Sequence, residues 1–86
     1  MLCNLTIDSS NNIVTIDYLS GGQVTGSEHF TFSRMRVESD GWWFDRLFDA
    51  PFNNKLLFAD IVNYNGAPIG ATTQDTITDA LWSARS

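Results

Sequence analysis

A period-two alternation at the start of the chain constrains its fold more than any other feature. Cys3, Leu5 and Ile7 interleave with Asn4, Thr6 and Asp8, and Val14, Ile16 and Tyr18 interleave with Thr15 and Asp17. Successive side chains on a strand point to opposite faces, so each run buries one face and wets the other. Ser9-Ser10-Asn11-Asn12 lies between them as a polar turn cluster. Two β runs around a short polar turn predict a hairpin.

The pattern continues beyond it. Ser20-Gly21-Gly22 breaks the second strand. Residues 24–32 predict a third strand, with Gly26 as a bulge and Phe30 and Phe32 on one face. Residues 35–38 either extend it or form a separate short strand. Ser39-Asp40-Gly41 is a turn signal, because Asp and Gly tolerate the positive φ of tight hairpins. Residues 45–54 are the least regular stretch, since Pro51 blocks a central strand or a helix interior. Residues 56–62 read as one apolar strand interrupted by Asp60, and Asn63-Tyr64-Asn65-Gly66 as the turn after it.

A helix is predicted over about residues 72–84. Thr72-Thr73-Gln74-Asp75 fits a capping box with Thr72 as N-cap. Ile77, Ala80, Leu81 and Ala84 then form one apolar stripe at helical spacing, with Trp82 at its edge. A helix of about three turns needs tertiary or partner packing to persist. The expected fold is mostly β: a small β-sandwich or partly open barrel of about five or six strands, closed by one short C-terminal α-helix. Residues 1–86 form one domain, as a chain this short builds one core.

Charge narrows the function classes. Net charge is −5 and the pI is near 4.3. Nucleic acid and anionic membranes both require a basic footprint, so neither is an expected partner. The arginines include Arg34 and Arg36 close together, with Arg46 and Arg85 apart, which is not a patch. No run approaches the roughly 18 apolar residues of a membrane span, and no signal-peptide pattern is visible. The sole cysteine, Cys3, permits no intramolecular disulfide, which points to a reducing cytosol. Without a secretory signal, the Asn4-Leu5-Thr6 sequon reads as chance.

Catalytic and metal chemistry find little to work with. His29 is the only histidine, and no serine lies in a G-x-S-x-G elbow. His29 reads as a surface or edge-strand residue. Asp45 and Asp49, and Asp75 and Asp79, are spaced four apart, but two carboxylates make a poor cation site. One Cys and one His exclude a standard structural zinc site. The chain is therefore expected to be no enzyme, with no catalytic residues, no metal site and no cofactor.

Contact chemistry is more promising. Charged residues are 17% of the chain, against about 25% in typical domains. Aromatics are 13%, Lys55 is the one lysine, and Glu28 and Glu38 are the only glutamates. Interface cores favour aromatics and Arg and avoid Lys and Glu. In Trp42-Trp43-Phe44, neighbouring rings on a strand point to opposite faces, so at least one lies near the surface. Trp is a frequent hot-spot residue. Trp42, Trp43, Phe44 and Trp82 are thus the candidate protein interface, unless the helix covers the second face through Trp82.

The stretch Asn65-Gly66-Ala67-Pro68, followed by Thr72-Thr73-Gln74-Asp75-Thr76-Ile77, resembles the ends of small structural proteins of tailed-bacteriophage virions. In those, a β-rich body is followed by an N-G-x-P turn and a short helix. The resemblance implies a non-enzymatic head, neck or tail component, made in the host cytoplasm and located in the virion. Its partners would be copies of itself, as a homo-oligomer, or larger capsid and tail proteins. No binding residue transfers from the resemblance. The acidic pI also fits an alternative, a small phage-type inhibitor that binds and blocks a host protein.

Overall fold

A computed structural model describes residues 1–45 and 54–85, so the expected irregular stretch lies mostly outside the described residues. The elements are β1 (Cys3–Asp8), β2 (Ile13–Ser20), β3 (Gln23–Phe30), β4 (Arg34–Glu38), β5 (Gly41–Asp45), β6 (Asn54–Leu57), β7 (Ile61–Tyr64), β8 (Ala67–Pro68) and α1 (Gln74–Ser83). A 3₁₀ turn, Phe58–Asp60, joins β6 to β7. The chain is mostly β with one short C-terminal helix, as its alternation and helical stripe dictate. One sheet has the order β3-β2-β1-β7-β8 and the other β4-β5-β6. All neighbours are antiparallel except β1 and β7, which run parallel.

Local chemistry builds the first hairpins. After β1, Asp8 accepts bonds from the Ser10 and Asn11 backbone N–H groups and from Asn11 Nδ2. The Asn11 side-chain bond, ahead of the backbone ones, holds the Asp8 carboxyl below the usual carboxylate range. Gly21-Gly22 does more than end a strand. With φ of 59° and 81° these two residues connect the paired Ser20 and Gln23, the backbone that two-residue hairpins select.

The turn at Ser39-Asp40 corrects the expectation of positive φ, which neither it nor Gly41 adopts. Gly41 is required for space instead. A Cβ there would sit 2.0 Å from the Leu56 carbonyl oxygen on β6.

Three further expectations are corrected. Residues 56–62 are not one strand: β6 and β7 belong to different sheets, and the chain crosses at Phe58, whose N–H donates to Asp40 O. An apolar run carries no mark of such a sheet switch. The described residues contain eight strands rather than five or six. The helix starts later than predicted, because Thr73, not Thr72, is the N-cap; its Oγ1 accepts the Thr76 N–H at 3.2 Å. The Thr72 N–H is already committed to Ile69 O in the preceding turn.

One apolar core joins the three layers. The large sheet contributes Cys3, Leu5, Ile7, Val14, Ile16, Phe30 and Ile61, and the small sheet Met35, Trp42, Phe44 and Leu56. Phe44 bridges the sheets edge-to-face, with ring centroids 5.4 Å from Phe30 and 5.1 Å from Phe32. The helix closes the core with Ile77, Leu81 and Ala84.

Candidate protein-interaction surface

The structure separates the four aromatics singled out in the sequence. Trp42 and Phe44 are 0% exposed, so their place in an interface is corrected to core. Alternation puts both on the inner face of β5. Trp42 Nε1 donates to Thr78 Oγ1 on α1 at 2.9 Å, so the helix covers this face through Thr78 rather than Trp82. Trp82 is 40% exposed and lies beneath the Arg85 guanidinium, 5.4 Å from the ring centroid.

Trp43 points the other way and is half-buried. Its cross-strand partners are Arg36 and Lys55, and both cations approach its ring, at 5.7 and 5.2 Å from the centroid. Trp43 Nε1 donates to Glu38 Oε1 at 3.0 Å, and Lys55 bonds both Glu38 and Asp40. The Lys55 hydrogen bond first, then that of Trp43, holds the Glu38 carboxyl below its ordinary range. Lys55 likewise lowers Asp40, and Glu38 and Asp40 raise Lys55 in return. On this face Trp43, Glu38 and Lys55 satisfy one another's polar groups, and Asp40 in the adjoining turn joins them.

The outer face of the large sheet is polar and cross-linked in the same manner. Ser27 Oγ donates to Asp17 at 2.6 Å, Thr15 Oγ1 and His29 Nδ1 are 2.9 Å apart, and Asn63 Nδ2 donates to Asn4 at 2.8 Å. Asp17, Ser27 and His29 therefore share a face, yet the serine bonds the aspartate and the histidine bonds Thr15. That wiring bonds the imidazole to Thr15 rather than to Ser27, so these residues do not form a Ser–His pair. Cys3 is buried, and desolvation first, then the charge of Asp60, pushes its thiol pKa up, away from thiolate reactivity. Among the described residues no three His, Cys, Asp or Glu side chains gather where a metal ion could bind.

Sheet edges are where the backbone still has hydrogen bonds to give. The large sheet ends in β8 on one side, two residues long and containing Pro68, which blunts pairing. In the small sheet, β4 is studded with Arg34, Arg36 and Glu38, and Gln74 Nε2 caps the Glu38 carbonyl at 2.7 Å. The other end of the large sheet, β3, has eight residues with no Lys, Arg or Pro. Residues 23–27 are exposed throughout.

Beside this edge lies an apolar row. Leu19 pairs with Val24, and its N–H donates to Leu2 O at 2.9 Å, so the three side chains cross adjacent strands together. Leu2 and Val24 are each 54% exposed. Sequence reasoning missed both this row and the edge. The available signal was the absence of any apolar alternation from Gln23 to His29, the mark of a strand that buries neither face.

No described helix is long and apolar enough to cross a membrane. Comparison with protein-family models, curated proteins and solved structures finds no match to this chain.

Proposed function

We propose that this protein is a non-enzymatic assembly component, which binds copies of itself or larger structural proteins such as the capsid and tail proteins of a virion. The observation that carries the reading is that, among the described residues, no strand pairs with the outer edge of β3, beside a row in which Leu2 and Val24 are exposed and Leu19 is half-buried. Natural sheets blunt or cover their edges, because an open edge templates pairing with another chain. Here the other edge of the same sheet is blunted, so the contrast lies within one molecule. The exposed Trp82 offers a second contact of hot-spot type. The acidic charge disfavours a nucleic-acid or anionic-membrane partner and leaves protein surfaces.

The test is co-expression with the proteins encoded beside it, then size-exclusion chromatography with light scattering. Self-association, or co-elution with a structural protein at fixed stoichiometry, supports the reading. A chain that stays monomeric and co-elutes with none of them overturns it.

A further inference from the structure

The parallel ladder between β1 and β7 ends on a side chain. Asn65 N–H donates to Leu5 O at 2.9 Å, the rung that follows the Leu5–Tyr64 pair. A regular parallel ladder would next bring Ile7 N–H to the Asn65 backbone carbonyl. Instead Ile7 N–H donates to Asn65 Oδ1, also at 2.9 Å. The backbone has left the strand by this point. Asn65 has φ of 50° and Gly66 of 83°, and the two residues join the paired Tyr64 and Ala67. Two consecutive positive φ values make the type I′ turn that Asn-Gly favours. The Asn65 amide therefore stands in for the carbonyl that the turn withdraws from the ladder.

The same dipeptide is chemically labile. Asn65-Gly66 is the one place in the sequence where asparagine precedes glycine. With no side chain on Gly66, its nitrogen has an open approach to Asn65 Cγ. Attack forms an N–Cγ bond and closes a five-membered imide, while the Gly66 N–H proton and the side-chain nitrogen depart as ammonia. Water then opens the imide at either carbonyl, leaving aspartate or isoaspartate. Both residues are exposed, so water reaches them.

The folded geometry opposes the first step. Ring closure needs the Gly66 nitrogen eclipsed with Asn65 Cβ about the Cα–C bond. The left-handed region carries ψ of about +30 to +60°, which for an L residue sets that nitrogen nearly opposite Cβ. The Asn65 side chain is pinned as well, by a strand 58 positions away in sequence.

We propose that Asn65-Gly66 is a latched modification site: the β1–β7 junction withholds it from imide formation, and it deamidates only through states in which the Ile7–Asn65 rung has opened. An aspartate product keeps a side-chain oxygen for Ile7. An isoaspartate product routes the main chain through the former side chain, so the rung is lost for good. The latch is independent of the assembly reading.

The test compares deamidation with hydrogen exchange. The protein is incubated in mildly alkaline buffer, folded and in urea, and position 65 is followed by peptide mapping with mass spectrometry. Isomerisation at Asp40-Gly41 leaves the mass unchanged and does not interfere. Conversion is expected to be slower in the folded protein by roughly tenfold or more. The slowing should match the protection of the Ile7 amide against exchange in the same buffer, since both await one opening. Asn4→Ala removes the bond from Asn63 Nδ2 that also ties β7 to β1. In that variant, conversion at Asn65 and exchange at Ile7 are expected to rise together, by roughly fivefold for one hydrogen bond. Equal rates in folded and unfolded protein overturn the latch. So does conversion that fails to follow Ile7 exchange in either protein.

Discussion

Replacing Gly41 by alanine probes the tightest approach in the fold. The new Cβ would lie 2.0 Å from Leu56 O and 3.0 Å from both Leu56 C and Leu57 Cα. All three atoms are backbone, so no side chain can swing away. Strand β6 must retreat by about 1 Å or more to restore a tolerable contact, and the Gly41–Leu57 and Trp42–Leu56 pairs lie where it retreats. Overpacking costs about 1–3 kcal/mol, and each ladder bond lost about 1 kcal/mol more. The expected destabilisation is about 3 kcal/mol, a large part of the stability of a small domain. It corresponds to a fall in melting temperature of roughly 12–24 °C. The assay is thermal and urea unfolding followed by circular dichroism. The control is Ser39→Ala, in the same turn and exposed, which is expected to change stability by no more than about 0.5 kcal/mol. A Gly41→Ala protein that unfolds with the wild-type midpoint would refute the close approach, and with it the β5–β6 register.

Glu38 and Asp40 have lowered pKa values, so their share of stability is present above their unfolded values near 4.5 and 3.8 and is lost as pH falls through the folded ones. Lys55 is raised, so its share is present below the unfolded 10.5 and is lost as pH rises through the folded value. A Lys55→Gln variant should move both carboxyl titrations upward, as followed by carboxyl-carbon NMR; unchanged titrations would show that Lys55 does not hold them. At the helix start, Thr73→Ala should cost about 1 kcal/mol and Thr72→Ala less than about 0.5 kcal/mol in urea titrations, and the reverse order would restore the cap read from the sequence.

The residues differ in how openly they declared their roles. The first hairpin was legible because Cys3, Leu5 and Ile7 alternate over consecutive positions, and the structure pairs them with Tyr18, Ile16 and Val14. The helix was legible from the Ile77–Leu81–Ala84 stripe, and only its cap was misplaced, by one residue. The candidate site was legible only in part. Alternation stated that Trp42 and Trp43 face opposite ways, but not which way the core lies. The place of β3 at the end of its sheet among the described residues was invisible, because it depends on which distant segments pair with it.

Local periodicity and turn chemistry by themselves determined the strands, the main turns and the apolar face of the helix, since those depend on neighbours a few residues apart. Tertiary structure alone decided the parallel union of β1 with β7, where Asn65 Oδ1 accepts the Ile7 N–H across 58 positions of sequence. It also decided the break of residues 56–62 into strands of two sheets, and the burial of Trp42 under Thr78 while Trp43 rests between Arg36 and Lys55. The physical reason is that a side-chain pattern records which residues share a face. What covers that face depends on contacts between segments that the pattern never compares.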